Sequence, residues 1–191
     1  MTVVPALQPV VEMLERLGVA YHVGGSVASS VHGSPRATND VDLVVDLRQE
    51  HVHPLCAALA AQYYASPELL TEAIQRCSCA NLVHLASGYK VDLFVSRGGE
   101  YDRVSLHRCV ERSLAPNPRT FRVATAEDIL LRKLEWYRAG GELSDRQWSD
   151  VLGIVRLREH DLDRAYLQQW ATHLHVDDLL ARAWQEVEGG G

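Results

Sequence analysis

The chain has 191 residues, of which 47% are hydrophobic and 23% charged, and its formal net charge is -6 at pH 7. That apolar content excludes an intrinsically disordered chain. No run of about 18 uncharged apolar residues occurs, which excludes a helical membrane span. The acidic balance excludes a nucleic-acid footprint driven by bulk charge but leaves room for a local basic groove.

The opening residues, MTVVPALQPVVEMLERLG, carry no basic run ahead of their apolar positions and no small-residue cleavage site. They read as a helix rather than a secretion signal, so the expected compartment is the cytoplasm. Leu7, Val10, Val11, Leu14 and Leu17 recur at helical spacing. Tyr21-His22-Val23 is a short strand that stops at Gly24-Gly25, and Ser26 is placed to cap a short helix over 27–32. Gly33-Ser34-Pro35-Arg36 reads as a loop. In the next strand Val41, Leu43, Val45 and Leu47 fall on one face, while Asp40, Asp42 and Asp46 fall on the other.

Helices are expected over 50–63 and 67–77, then strands over 81–86 and 89–95 joined by a Ser87-Gly88 hairpin turn. In the second of these strands Lys90, Asp92 and Phe94 share a face. A weaker strand is expected over 107–113. Pro116-Asn117-Pro118 then breaks the chain, and beyond it the spacing becomes helical. Thr125 and Ser144 start two helices there. Two more follow over 162–173 and 176–187, and Gly189-Gly190-Gly191 ends the chain as a flexible tail. The expected organisation is a mixed α/β core over 1–115 and a helical subdomain over 119–188.

The chemistry-bearing residues lie mostly in the first half. Asp40 and Asp42 are two apart on a strand and point the same way, so their like charges repel unless something neutralises them. A hard cation such as Mg²⁺ does this with carboxylate and phosphate oxygens; a solvated strand face is the bland alternative. Asp92, on another alternating strand, could complete a set of three. Glycines after a strand let a ligand approach backbone closely, so Gly24-Gly25-Ser26 reads either as an anion cradle or as an ordinary tight turn.

Of the nineteen basic residues only Lys90 and Lys133 are lysines. A compact ammonium suits a phosphate contact, although a helical lysine at the edge of an apolar stripe can also snorkel. The four cysteines are expected to be reduced, since Cys77-Ser-Cys79 lacks the spacing of a redox or zinc site. His51 and His53 suggest a metal pair with no third ligand at hand, and the four tryptophans fall at core spacing.

Taken together, the stretch GGSVASSVHGSPRATNDVDLVVD from Gly24 to Asp46, followed by Asp92 on a later strand, resembles the nucleotidyltransferase superfamily that includes polymerase β. The run His32-Gly33-x-x-Arg36-x-Thr38-x-Asp40, with Lys133 and Asp150 in the second half, is similar to the AbiEii/MenT-type stand-alone bacterial nucleotidyltransferases. The resemblance implies an α/β (α+β) fold, with a mixed-sheet polymerase β-like core followed by a helical bundle.

It implies that Asp40, Asp42 and Asp92 bind two Mg²⁺ ions, for which Mn²⁺ can substitute, and that Asp92 activates the attacking hydroxyl. Gly24, Gly25 and Ser26 would hold a nucleoside triphosphate, with Arg36, Thr38, Lys133 and Asp150 as further nucleotide contacts. Arg36 can equally order its loop, and Asp150 can orient Lys133, touch base or ribose, or be a surface charge. The expected reaction moves a nucleoside monophosphate to a hydroxyl or phosphate acceptor. The branch implied is a toxin acting on transfer RNA and paired with an antitoxin protein. Aminoglycoside-type and protein acceptors are the rivals within the enzyme class, and a catalytically quiet nucleotide- or partner-binding module is the rival outside it.

Overall fold

A computed structural model describes residues 3–32, 38–114 and 119–189. These residues fall into two compact units. One lies within Met1–Val27 and Ala37–Ala124, the other within Ala28–Arg36 and Thr125–Gly191.

The first unit is built on strands β1 (Tyr21–Val23), β2 (Asp40–Val45), β3 (Tyr63–Tyr64), β4 (Cys79–His84), β5 (Lys90–Val95), β6 (Val110–Ser113) and β7 (Thr120–Val123). They form one sheet in the order β3-β4-β5-β2-β1-β7-β6. β2 pairs with β5 and β1 with β7 in parallel, and the other neighbours are antiparallel. Of the two edges, β3 is only two residues long and β6 is mostly exposed, both usual protections of a sheet edge.

The alternation read from the sequence is the alternation observed. Val41, Leu43, Val91 and Leu93 are fully buried, each such side chain contributing about 1.5–3 kcal/mol. Helix α1 (Val4–Arg16) buries Leu7, Val10, Val11 and Leu14 and packs on β5 and on α3 (Gln49–Leu59); α4 (Pro67–Arg76) packs on α3, β4 and β5. The buried Tyr63 hydroxyl donates to the Ala6 carbonyl at 2.8 Å and so ties the β3 edge to α1. The opposite face of the sheet carries the carboxylates.

Several details differ from the sequence expectations. Helix α2 runs over Gly25–Val31, so Ser26 is its second residue rather than its cap. The segment 50–63 divides into α3 and the strand β3. The β4–β5 connection is wider than a two-residue turn: the His84 amide donates to the Tyr89 carbonyl at 2.9 Å, and the Gly88 amide to the His84 carbonyl at 2.8 Å. Helix α5 (Glu100–Arg108) has no counterpart in the sequence reading, because it buries Asp102 and Ser105 beside Tyr101 and Leu106 and shows no clean apolar stripe. The sheet also resumes after the proline-rich break, since β7 pairs with both β1 and β6.

The second unit holds α6 (Ala126–Ala139), α7 (Asp145–Arg158), α8 (Arg164–His173) and α9 (Asp177–Glu188). Thr125 caps α6, its hydroxyl oxygen accepting from the Asp128 amide at 3.2 Å, and Ser144 caps α7 in the same way at 3.3 Å. Trp148 and Trp170 are buried as expected. Trp184 is half-covered, with the Arg164 guanidinium 4.1 Å from its ring centroid. Trp136 contradicts the core expectation: it is 54% exposed, on the solvent side of α6.

Candidate active site

β2 and β5 run parallel with Asp42 directly opposite Asp92, and with Asp40 opposite Lys90. On the far side of β5, β4 sets Asn81 opposite Asp92 and Cys79 opposite Phe94. Period-two alternation puts Asp40, Asp42, Lys90, Asp92, Asn81 and Cys79 on one face of three adjacent strands. Neighbouring strands are about 4.8 Å apart, so the Asp42 and Asp92 side chains start as near neighbours of like charge. At about 6 Å and an effective dielectric of about 20, two such charges repel by about 2–3 kcal/mol.

The two carboxylates are drawn toward opposite flanks. Asp92 Oδ1 accepts from the Asn81 amide at 2.5 Å, on the β4 side. Asp42 lies on the β1 side. The Gly24 amide donates to its carbonyl at 2.8 Å, and its carboxylate occupies the space that a Cβ at Gly25 would need. Gly25 also has φ +53, a conformation that costs any L side chain energy. The need for glycine there is thus explained by the Asp42 carboxylate rather than by a phosphate. This divergence agrees with a further observation: among the described residues, no group of three or more His, Cys, Asp or Glu side chains converges to hold a metal ion.

The negative field of this face is felt by a neighbour. Cys79 is exposed as a residue, but its sulfur is part-buried and 3.9 Å from the Ala80 carbonyl. Burial, then the charges of Asp92 and Asp42, push the Cys79 thiol up to about 12. A donor set of carboxylate oxygens suits a hard divalent cation. The donor chemistry matches such an ion, while the described side chains as they stand do not converge on one.

Of the other residues singled out, Thr38 uses its hydroxyl locally. It donates to the Asp40 carbonyl at 3.1 Å and accepts from the Asp40 amide at 3.3 Å, ordering the entry to β2. Arg36 lies outside the described residues. In the second unit Lys133 and Asp150 meet across α6 and α7 at 2.8 Å, with side chains 15% and 24% exposed. The orienting role for Asp150 is therefore the one with a contact behind it. His51 does not pair with His53 in a metal set; its Nδ1 accepts from the Arg48 amide at 3.0 Å and caps α3.

Asn81 was not visible as a site residue in the sequence. Only the β4–β5 register shows that its amide faces Asp92.

No family model matches the chain, and no curated protein matches it in sequence. Solved structures do match. An antigenic nucleotidyltransferase-like protein from Paracoccidioides brasiliensis is 20% identical, with a TM-score of 0.53 over 95% of this chain and 89% of that one. The fold is nucleotidyltransferase-like.

The antibiotic-resistance factor ANT(2'')-Ia is 12% identical, with a TM-score of 0.49 over 90% of this chain and 95% of that one. A tRNA nucleotidyltransferase complexed with a primer tRNA and an incoming ATP analog is 14% identical, with a TM-score of 0.35 over 88% of this chain and 62% of that one. The similarity to the Paracoccidioides brasiliensis protein is one of fold. Among the described residues, no helix is long and apolar enough to cross a membrane.

Proposed function

We propose that this chain is a divalent-metal-dependent nucleotidyltransferase. The observation that carries the reading is the direct opposition of Asp42 and Asp92 on adjacent parallel strands, with Asp40 two residues along β2 on the same face. Like charges side by side cost stability unless a cation neutralises them, and a nucleotidyltransferase-like fold supplies the reason for keeping them.

Asp40, Asp42 and Asp92 would hold two Mg²⁺ ions, or Mn²⁺ in their place. Bound there, such ions neutralise phosphate charge and stabilise the attacking and leaving oxygens of an in-line displacement. The Gly24-Gly25-Ser26 turn receives the triphosphate. The acceptor oxygen bonds to the α-phosphorus, the α–β bridging P–O bond breaks, pyrophosphate leaves, and Asp92 takes the acceptor's proton. Arg36, Thr38, Lys133 and Asp150 are proposed as further nucleotide contacts on the sequence resemblance alone.

The finer reading also rests on that resemblance. Its acceptor is transfer RNA and its partner an antitoxin protein. The acidic net charge of -6 sets a test, because RNA affinity carried by phosphate contacts falls steeply with salt. Transfer RNA is expected to bind at low salt and to dissociate as salt rises; no binding at low salt overturns the RNA acceptor.

For the core reading, calorimetric titration of each nucleoside triphosphate with Mg²⁺ is expected to show metal-dependent binding that Asp42→Ala abolishes while far-UV circular dichroism is unchanged. Equal binding by that variant overturns the assignment.

A further inference from the structure

The sheet face that carries the carboxylates continues beyond β5. On β4, Val83 stands opposite Lys90, and on β3, Tyr64 stands opposite Val83. Lys90 is itself opposite Asp40. One row of side chains therefore runs Tyr64, Val83, Lys90, Asp40 across four strands, beside the row that holds Asp92 and Asp42. Leu85 follows two residues after Val83, and its amide still donates to the Gln62 carbonyl at 2.9 Å, so the same face continues there. The two tyrosines of β3 part company. Tyr63 is buried on the helix-covered face and bonds to α1, whereas Tyr64 turns the other way and is 63% exposed. Leu85 is 61% exposed.

Apolar residues scattered singly over a surface need no explanation. Tyr64 and Leu85 are instead diagonal neighbours on one sheet face, close enough to act together, and they border a charge. Lys90 is exposed, and although it faces Asp40 in register, no ion pair joins them among the described residues. An exposed ring and an exposed ammonium two strands away, about 10 Å, match one ligand chemistry. That ligand is an unpaired nucleotide, whose base stacks on the ring while its phosphate meets the ammonium. The Gly24-Gly25 turn lies on the opposite flank, on the β1 side of β2, which leaves the β3–β4 flank for the acceptor's approach to Asp92. We propose that Tyr64 and Lys90 form a platform for an unpaired nucleotide of an RNA acceptor, with the base on Tyr64 and a phosphate at Lys90. This rests on the RNA-acceptor reading above and draws nothing from the metal ions.

The test is the fluorescence anisotropy of a fluorescein-labelled single-stranded RNA hexanucleotide titrated with the full chain at low salt, with no triphosphate or divalent ion present. Tyr64→Ala is expected to weaken binding by about 10-fold, and Tyr64→Phe, which keeps the ring, to bind like the parent. On an oligomer of the same length without bases, both variants should match the parent. Lys90→Gln should make the plot of log affinity against log salt shallower by about 0.7, the share of one phosphate contact on a single strand. Both positions are exposed, so thermal melting of the variants should match the parent. RNA binding that neither Tyr64→Ala nor Lys90→Gln alters overturns the platform and leaves the RNA-acceptor reading standing. So does a Tyr64→Phe variant as weak as Tyr64→Ala, since the ring would then not be the contact. A parent that sediments as a dimer and a Tyr64→Ala variant that sediments as a monomer would give this face to a second copy of the chain, and also overturn the platform. No binding of the hexanucleotide or of transfer RNA by the parent at low salt overturns the RNA-acceptor reading and the platform with it.

Discussion

The chain handles charge in opposite ways in its two units. In the helical unit Lys133 and Asp150 meet at 2.8 Å, both mostly out of solvent, and each charge is answered by the other. In the sheet unit Asp42 and Asp92 stand opposite one another on parallel strands. Asp92 accepts from the neutral Asn81 amide, and the Asp42 carboxylate lies against Gly25. An ion pair is an arrangement for a folded chain at rest. Two like charges side by side are instead the arrangement on which the proposed cation site rests.

The comparison can be broken most severely at Gly25. Gly25→Ala puts a methyl group where the Asp42 carboxylate lies, at a φ of +53. Backbone strain of about 2 kcal/mol is expected, which lowers the melting temperature of a domain this size by about 4–8 °C. Triphosphate binding should be lost along with it. A variant that melts with the parent would show that Asp42 does not depend on the absent side chain.

A smaller effect is expected in the helical unit, and of a different kind. Asp150→Ala leaves the Lys133 ammonium half-buried without its partner and should cost about 1–2 kcal/mol by urea denaturation. Asp42→Ala, which removes a repelling charge, should cost less than about 0.5 kcal/mol even though it abolishes nucleotide binding. Equal losses from the two substitutions would erase the distinction between a carboxylate facing a lysine and one facing another carboxylate.

The smallest effect concerns the field at Cys79. In an unfolded chain its thiol ionises near about 8.5; in the fold, burial first and then the charges of Asp92 and Asp42 push it up to about 12. The folded state therefore keeps a proton that the unfolded state releases. The stability this contributes is fully present below about 8.5 and is lost as pH rises toward 12. Asp92→Asn removes one of the two charges, so alkylation of Cys79 by iodoacetamide at pH 9 should quicken a few-fold, as read by mass spectrometry of the modified peptide. Burial remains, so the rate should stay below that of a free thiol. An unchanged rate would mean that Asp92 does not act on that sulfur.

Much of this was legible in the chain because period-two alternation is a local property. Val41, Leu43, Val91 and Leu93 had to face the core, which forced Asp40, Asp42 and Asp92 onto the other side of their strands. The Gly-Gly-Ser turn and the caps at Thr125 and Ser144 are likewise short-range signals. Helix α5 escaped because its buried Asp102 and Ser105 disguise the face it packs. The four-residue β7 escaped because it follows a proline-rich break and earns its place only by pairing with β1 and β6. Trp136 went wrong for the opposite reason, since helical spacing says which residues share a face but not whether that face is covered.

The sequence by itself determined which side of each strand is apolar, where the helices of the second unit begin, and that three carboxylates share one kind of strand face. Tertiary structure alone decided which strands are neighbours and in what register. That pairing sets Asp42 against Asp92, brings the Asn81 amide to Oδ1, and packs the Asp42 carboxylate into the space left by Gly25. Alternation along a strand is set by the geometry of a single backbone, whereas register is set by hydrogen bonds between segments tens of residues apart, and no local pattern carries it.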